Sequence, residues 1–161
     1  MAVHKLILDD IFEQVDCTLI AIYCTIEDYR LAYLLNKHLS TNLTRRTSNL
    51  DFSFNNATYS IFEWEDAKQL TTWSLVSNIY KTEIYKKDNV NSLFNTEEKV
   101  TQTLYLVPEY KAVNYFLKID NQFNLSKEKS ILNKILKIQQ VVTAFSIDIN
   151  QLKSKDNLIF S

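Results

Sequence analysis

The chain has 161 residues and no glycine. Average usage of about 7% would give roughly eleven. The absence removes whole classes of site. A dinucleotide-binding turn needs glycine for close approach to the pyrophosphate. A phosphate-cradling P-loop and an EF-hand calcium loop need it for their tight backbone turns. The G-x-S-x-G nucleophile elbow is excluded outright. Proline occurs once, at Pro108. Only two cysteines are present, Cys17 and Cys24. Their odd separation points them to opposite faces of a strand, so they cannot bridge within it. They read as small buried hydrophobes in a reducing compartment. Two histidines, His4 and His38, set no ligand spacing with these cysteines, and no metal site or cofactor is expected. No apolar run is long enough to cross a membrane, and the acidic N-terminal stretch does not read as a signal peptide. Charge of one sign is also missing. Eighteen basic residues against nineteen acidic ones leave −1, which gives no global attraction to nucleic acid or anionic lipid. A cytoplasmic protein without membrane contact is expected.

What is present is ordinary globular usage, 46% hydrophobic and 23% charged. The chain is read as one α+β domain over 1–161, with pseudo-halves at 1–70 and 100–150. Fifteen asparagines take over the turn positions that glycine would hold. Asn55-Asn56, the 88–91 stretch and Asp120-Asn121 are placed as turns. Cys17–Cys24 is apolar on both faces and reads as a doubly covered strand. Thr25 opens a helix with Asp28 at a capping-box position. Leu31, Leu34, Leu35 and Leu39 give that helix an apolar face to about residue 39, with His38 at its edge.

Leu50, Phe52 and Phe54 alternate as the end of a strand. Tyr59–Asp66 reads as one strand with Phe62 and Trp64 inward. Residues 72–85 read as one long strand or two, 86–99 as a loop with Leu93-Phe94 docking somewhere, and 101–107 as a strand stopped by Pro108. In the last third, Tyr115–Ile119 is a strand and Ser126 caps a helix from 127 to about 138. Val141–Ile149 alternates as a further strand, and the tail 152–161 is either an edge strand or mobile. The expectation is a mostly antiparallel sheet with about two helices on one face. Its C-terminal β-α-β unit is similar to half of a ferredoxin-like fold of the ACT type, which by itself implies no function.

Chemistry is sparse. Acid pairs occur at Asp9-Asp10, Glu27-Asp28, Glu63/Glu65 and Glu97-Glu98. Glu63 and Glu65 share a strand face, as acid–base work would need, but period-2 alternation alone makes them the solvated face of an edge strand, which is the reading favoured. Arg45-Arg46 with nearby aromatics is a candidate RNA surface. The nine tyrosines suit packed strands and also partner surfaces.

Two stretches carry a resemblance. One is the run from Thr25 through Glu27, Asp28, Tyr29, Arg30 and Tyr33 to Lys37. The other is Leu106–Ile119, which contains Val107-Pro108-Glu109 and Asn114-Tyr115. Together they resemble the IPExxxDY family, small bacterial proteins of unknown function. Val107 stands for the family's Ile, and Asn114 stands for its Asp one residue further along. An amide cannot take over a carboxylate's proton transfer or charge, so no catalytic role is expected of the motif. The residues singled out for a motif or interaction role are Glu27, Asp28, Tyr29, Arg30, Pro108, Glu109, Asn114 and Tyr115. Glu109 is expected to cap amides of its own connection, and Asn114 to form an Asx-type turn. The leading expectation is a non-catalytic domain that binds a protein partner. An RNA-associated accessory protein and an ACT-like small-ligand sensor are the alternatives. The oligomeric state is left open.

Overall fold

The computed structural model describes residues 16–87, 97–120 and 124–160. Among the described residues ten strands and two helices follow one another as β1 (Thr18–Tyr23), α1 (Asp28–Leu39), β2 (Thr44–Arg45), β3 (Leu50–Phe52), β4 (Ala57–Tyr59), β5 (Ile61–Asp66), β6 (Thr71–Ser77), β7 (Ile79–Lys87), β8 (Glu97–Tyr105), β9 (Tyr115–Asp120), α2 (Leu125–Leu136) and β10 (Thr143–Ile147). The main sheet runs β10-β1-β9-β6-β5-β2, with every neighbour antiparallel. The chain is therefore α+β, with a mostly antiparallel sheet and, among the described residues, two helices, as expected.

β1 is apolar on both faces because both are covered. Ile20 and Ile22 join Leu117, Ile119, Trp73, Leu75 and Phe62 under Leu31 and Leu35 of α1 and Ile131 and Ile135 of α2. On the opposite face Leu19, Ala21, Phe116 and Val76 form a second core. Among the described residues no helix covers that face. The β3–β4 hairpin supplies Ala57 and Tyr59, the 106–113 connection supplies Leu106, Val107 and Val113, and the tail supplies Ile149, Leu152 and Leu158. The two cysteines do lie on opposite sides: Cys24 packs in the helix-side core, Cys17 against the other. Both are free.

Because β1 lies between β9 and β10, the unit β9-α2-β10 is a split β-α-β, in which the helix crosses over an intervening strand. Its boundaries differ from the sequence expectation. Asn124 caps α2, its side chain accepting from Lys127 N–H at 2.9 Å, so Ser126 lies inside the helix. Val141 and Ile149 are buried but fall outside β10, which is only five residues long.

Other expectations are corrected. α1 begins at Asp28 after Glu27, not at Thr25, because the backbone from 24 to 26 is bonded to the 114–115 segment. His38 is exposed. Among the described residues Leu50–Phe52 pairs only with β4, in a separate hairpin, and Phe54, read as continuing the strand, is exposed at its turn. Tyr59–Asp66 is two strands broken at Ser60. Of the two readings of 72–85 the structure takes the second: β6 and β7 are separate strands in different sheets, divided at Asn78. β8 begins at Glu97, inside the stretch read as loop. The tail is neither an edge strand nor loose: a 3-10 turn at Ile149–Gln151 leads into it, a second at Lys155–Leu158 lies within it, and Leu152 and Leu158 are buried. His4, the segment around Asp9-Asp10, the 88–91 turn, Leu93-Phe94 and Asn121 lie outside the described residues.

Left-handed backbone without glycine occurs at Ser40, Asn56 and Leu70. Asn56 holds its φ of 56° in the expected turn, where Asn55 Oδ1 also accepts Ala57 N–H.

Candidate functional site

The sequence motif at 107–115 is brought together with Asn78 into one buried junction. Asn78 is fully buried. Its Nδ2 donates to the carbonyls of Tyr110 and Val113, each at 2.9 Å, and its Oδ1 accepts Val107 N–H at 2.8 Å. Its backbone N–H donates to the Asn114 carbonyl, and its carbonyl accepts Leu106 N–H. Asn114 does not form the expected Asx turn. Its Oδ1 accepts Cys24 N–H at 3.0 Å, while its own N–H donates to Ile22 O. The Tyr115 hydroxyl donates to Ile26 O at 2.7 Å. Burial pushes this phenol up from its ordinary pKa. Pro108 opens the 3-10 turn that shapes the connection.

Glu109 also departs from expectation. It caps amides, but those of the tail: Oε2 accepts Lys153 and Ser154 N–H at 2.8 and 3.2 Å, and Oε1 accepts the Ser154 hydroxyl at 2.8 Å. Partial burial acts to raise its pKa. The hydrogen bonds from Ser154 and Lys153 outweigh that and hold the carboxyl below its ordinary value. A lowered folded-state pKa means the tether is intact above the ordinary carboxylate range and is lost as pH falls through the folded value. Amide exchange at 153 and 154 is therefore expected to rise on acidification, and Glu109→Ala should raise it about fivefold at neutral pH, the cost of losing a cap. Exchange that is equal in both proteins would contradict this tether.

The remaining motif residues sit at the start of α1. Glu27 pairs with Arg30 at 3.3 Å, and Asp28 with Arg45 at 3.1 Å. Tyr29 is 60% exposed, and so is Tyr33 at 66%, one turn later. These two tyrosines and Lys37 form an i, i+4, i+8 stripe on the outer face of the helix. Arg45 also lies 5.6 Å from the Phe62 ring centroid, and Arg46 pairs with Glu63 at 3.4 Å. Both guanidiniums of the expected RNA surface thus face carboxylates of the fold itself. Glu63 and Glu65 point away from the helix-side core, as alternation predicted, and Phe62 and Trp64 point into it.

A cleft of about 290 Å³ opens between α1, β5, β6 and the start of α2. Its lining includes Trp64, Trp73, Asp66, Gln69, Lys127 and Lys134. The two indoles lie 6.0 Å apart, and Trp73 Nε1 donates to Thr71 Oγ1 at 3.2 Å. Lys127 Nζ donates to Gln69 Oε1 at 2.7 Å. The sequence analysis missed this cleft. Its only trace there is that both tryptophans fall on adjacent strands, which shows nothing of the helix above them.

On the second face Lys118 is buried, with its Nζ 3.0 Å from Asp120 Oδ1 and 5.0 Å from the Phe160 ring centroid. Burial pushes the neighbouring Cys17 thiol up to about 11, against the opposing pull of Lys118, and also raises Cys24. Neither thiol is a thiolate nucleophile at neutral pH. Among the described residues no three His, Cys, Asp or Glu side chains group so as to hold a metal, and no helix is long and apolar enough to cross a membrane. Comparison with models of protein families, with curated proteins and with solved structures finds no match to the chain.

Proposed function

We propose that this chain is a non-catalytic cytoplasmic domain of the IPExxxDY type that binds a protein partner through the outer face of α1. The observation that carries the reading is the exposed Tyr29–Tyr33 pair. Two large amphipathic rings at helical spacing, with Arg30 beside them, have the composition of an interface centre. The motif supports a binding role in a different way. Pro108, Glu109, Asn114 and Tyr115 are engaged in holding the connection, the tail and the approach to α1. They hold the helix on its sheet and leave its outer face free. The ion pairs of Arg45 and Arg46 within the fold weigh against an RNA surface there.

The test is affinity capture with the tagged full chain, with and without nuclease, beside a Tyr29→Ala/Tyr33→Ala variant. A nuclease-resistant partner is expected, bound at least about 30-fold more weakly by the double variant, because interface tyrosines commonly carry 2 kcal/mol or more. The melting temperature should be unchanged, since neither ring is buried. A partner retained in full by the variant overturns the assignment of the surface, and loss on nuclease treatment favours RNA association.

The cleft beneath α1 supports a second reading, a sensor of a small anionic ligand with a flat ring. Trp64 offers a stacking surface, and Lys127 and Lys134 supply positive charge. Both tryptophans of the chain line the cleft, so intrinsic fluorescence reports on its occupancy. Saturable quenching by a metabolite, with a rise in melting temperature, is the expected signature. A flat response across acidic and aromatic metabolites removes this reading.

A further inference from the structure

β7 and β8 form a two-stranded arm of nine residues each, separate from the main sheet. Its root is anchored: Tyr80 and Leu104 pack against the second core, and the Tyr80 and Tyr59 rings are 6.1 Å apart. Among the described residues no third strand joins the arm, and two strands alone are marginal in water. The hydrogen-bond phase of the ladder follows from one bond. Leu106 N–H donates to the Asn78 carbonyl, so the even residues Tyr80, Thr82 and Ile84 exchange bonds with β8. The N–H and C=O groups of Lys81, Glu83 and Tyr85 then point to the outer edge of β7, which pairs with no strand among the described residues.

The sequence along that edge is Ile79-Tyr80-Lys81-Thr82-Glu83-Ile84-Tyr85. Read backwards about Thr82 it is complementary to itself. Lys81 meets Glu83, Tyr80 meets Ile84 and Ile79 meets Tyr85. A lone lysine on an edge discourages strand addition. Here the lysine's complement lies two residues along the same strand, on the same face and at the same edge. Lys81 makes no ion pair among the described residues, while Glu83 is joined to Lys99 across the arm at 2.6 Å. A second strand would set another lysine against the open side of Glu83.

We propose that the arm is a homodimerisation element: β7 pairs antiparallel with β7 of a second copy about a two-fold axis through Thr82. The four-stranded sheet β8-β7-β7-β8 so formed places Lys81 of each copy opposite Glu83 of the other. The same pairs are the ones whose outward N–H and C=O groups exchange hydrogen bonds. The register brings Tyr80 and Ile84 of the two copies together on one face, where Leu104 and Val100 flank them. A two-fold contact of this kind is self-complementary and closes without forming a fibre.

The test is sedimentation of the full chain across the micromolar range, with charge reversals on the arm. The wild type is expected to approach twice its monomer mass. Lys81→Glu sets like charges opposite one another twice per dimer and should weaken association about tenfold or more. Glu83→Lys/Lys99→Glu keeps the pair within the arm in reversed sense and should weaken self-association equally. Mixing the two variants restores both opposite-charge pairs and should return a mixed dimer. A wild type that stays monomeric throughout overturns the proposal. So does a dimer indifferent to Lys81→Glu, or a mixture no more associated than its parts. Both variants change exposed positions, and unchanged melting transitions identify loss of association as an effect at the edge.

Discussion

Asn78→Ala is expected to lower the melting temperature by roughly 10 °C, the largest effect of any single polar substitution in the fold. The side chain satisfies three backbone groups at once: the carbonyls of Tyr110 and Val113 and the N–H of Val107. The bonds to Val113 and Val107 are buried and that to Tyr110 partly so, and Asn78 itself has no exposed surface. Each buried group left unpaired costs about 1–3 kcal/mol, partly relieved where water enters the space. A total of about 3–5 kcal/mol is expected for three groups. A chain of this size shifts by about 2–4 °C per kcal/mol. Asn78→Asp provides a matched comparison of nearly equal volume. It keeps an acceptor for Val107 N–H but turns an oxygen towards two carbonyls, so it too should destabilise. Thermal unfolding followed by circular dichroism measures both. Shifts within a degree or two of wild type would mean that the junction is held by its apolar neighbours instead.

A chain ending at Leu152 is expected to lose comparable stability. The segment beyond Leu152 adds only one short 3-10 turn, Lys155–Leu158, and as a loose terminus its removal would change nothing. Its contacts say otherwise. Leu158 is fully buried, and removing a side chain of that size from a core costs about 2–5 kcal/mol. Asn157 Nδ2 donates to Leu106 O at 2.9 Å, and Ser154 receives the Glu109 cap. Phe160 covers Lys118, whose ammonium would meet water once the ring is gone. Denaturant unfolding is the suitable measurement, because loss of buried surface should lower the slope as well as the midpoint. Leu158→Ala in the full chain separates core packing from the polar tethers and should reproduce about half the loss. A truncated chain as stable as the whole would show that the second core closes without the tail.

These two predictions concern residues that pattern reading placed differently. Asn78 falls inside a run of strand-forming residues, and nothing local distinguishes a buried asparagine that ends one strand from a surface one that decorates it. Its role depends on carbonyls about thirty residues away. The tail's alternation was too short to separate an edge strand from turns folded over a core. At the candidate site, Tyr29 belongs to the stretch that carries the family resemblance, and Tyr33 shares its face by helical period alone. The cleft at Trp64 and Trp73 had no such signature, because its walls come from two strands and two helices.

Local chemistry by itself determined the absence of glycine-dependent loops, the period-2 and period-3.6 faces, and the placement of asparagines in turns such as Asn55-Asn56. It also determined that β1 is covered on both sides, since a strand apolar at every position has no face for water. Only the tertiary structure decided what does the covering. Helices and coil bury apolar area equally well, and burial carries no direction, so the pattern of β1 is the same under either. Hydrogen bonds are directional and link distant positions. They assigned Glu109 to the tail and Asn114 to the end of β1, and they left the outer edge of β7 without a strand partner among the described residues.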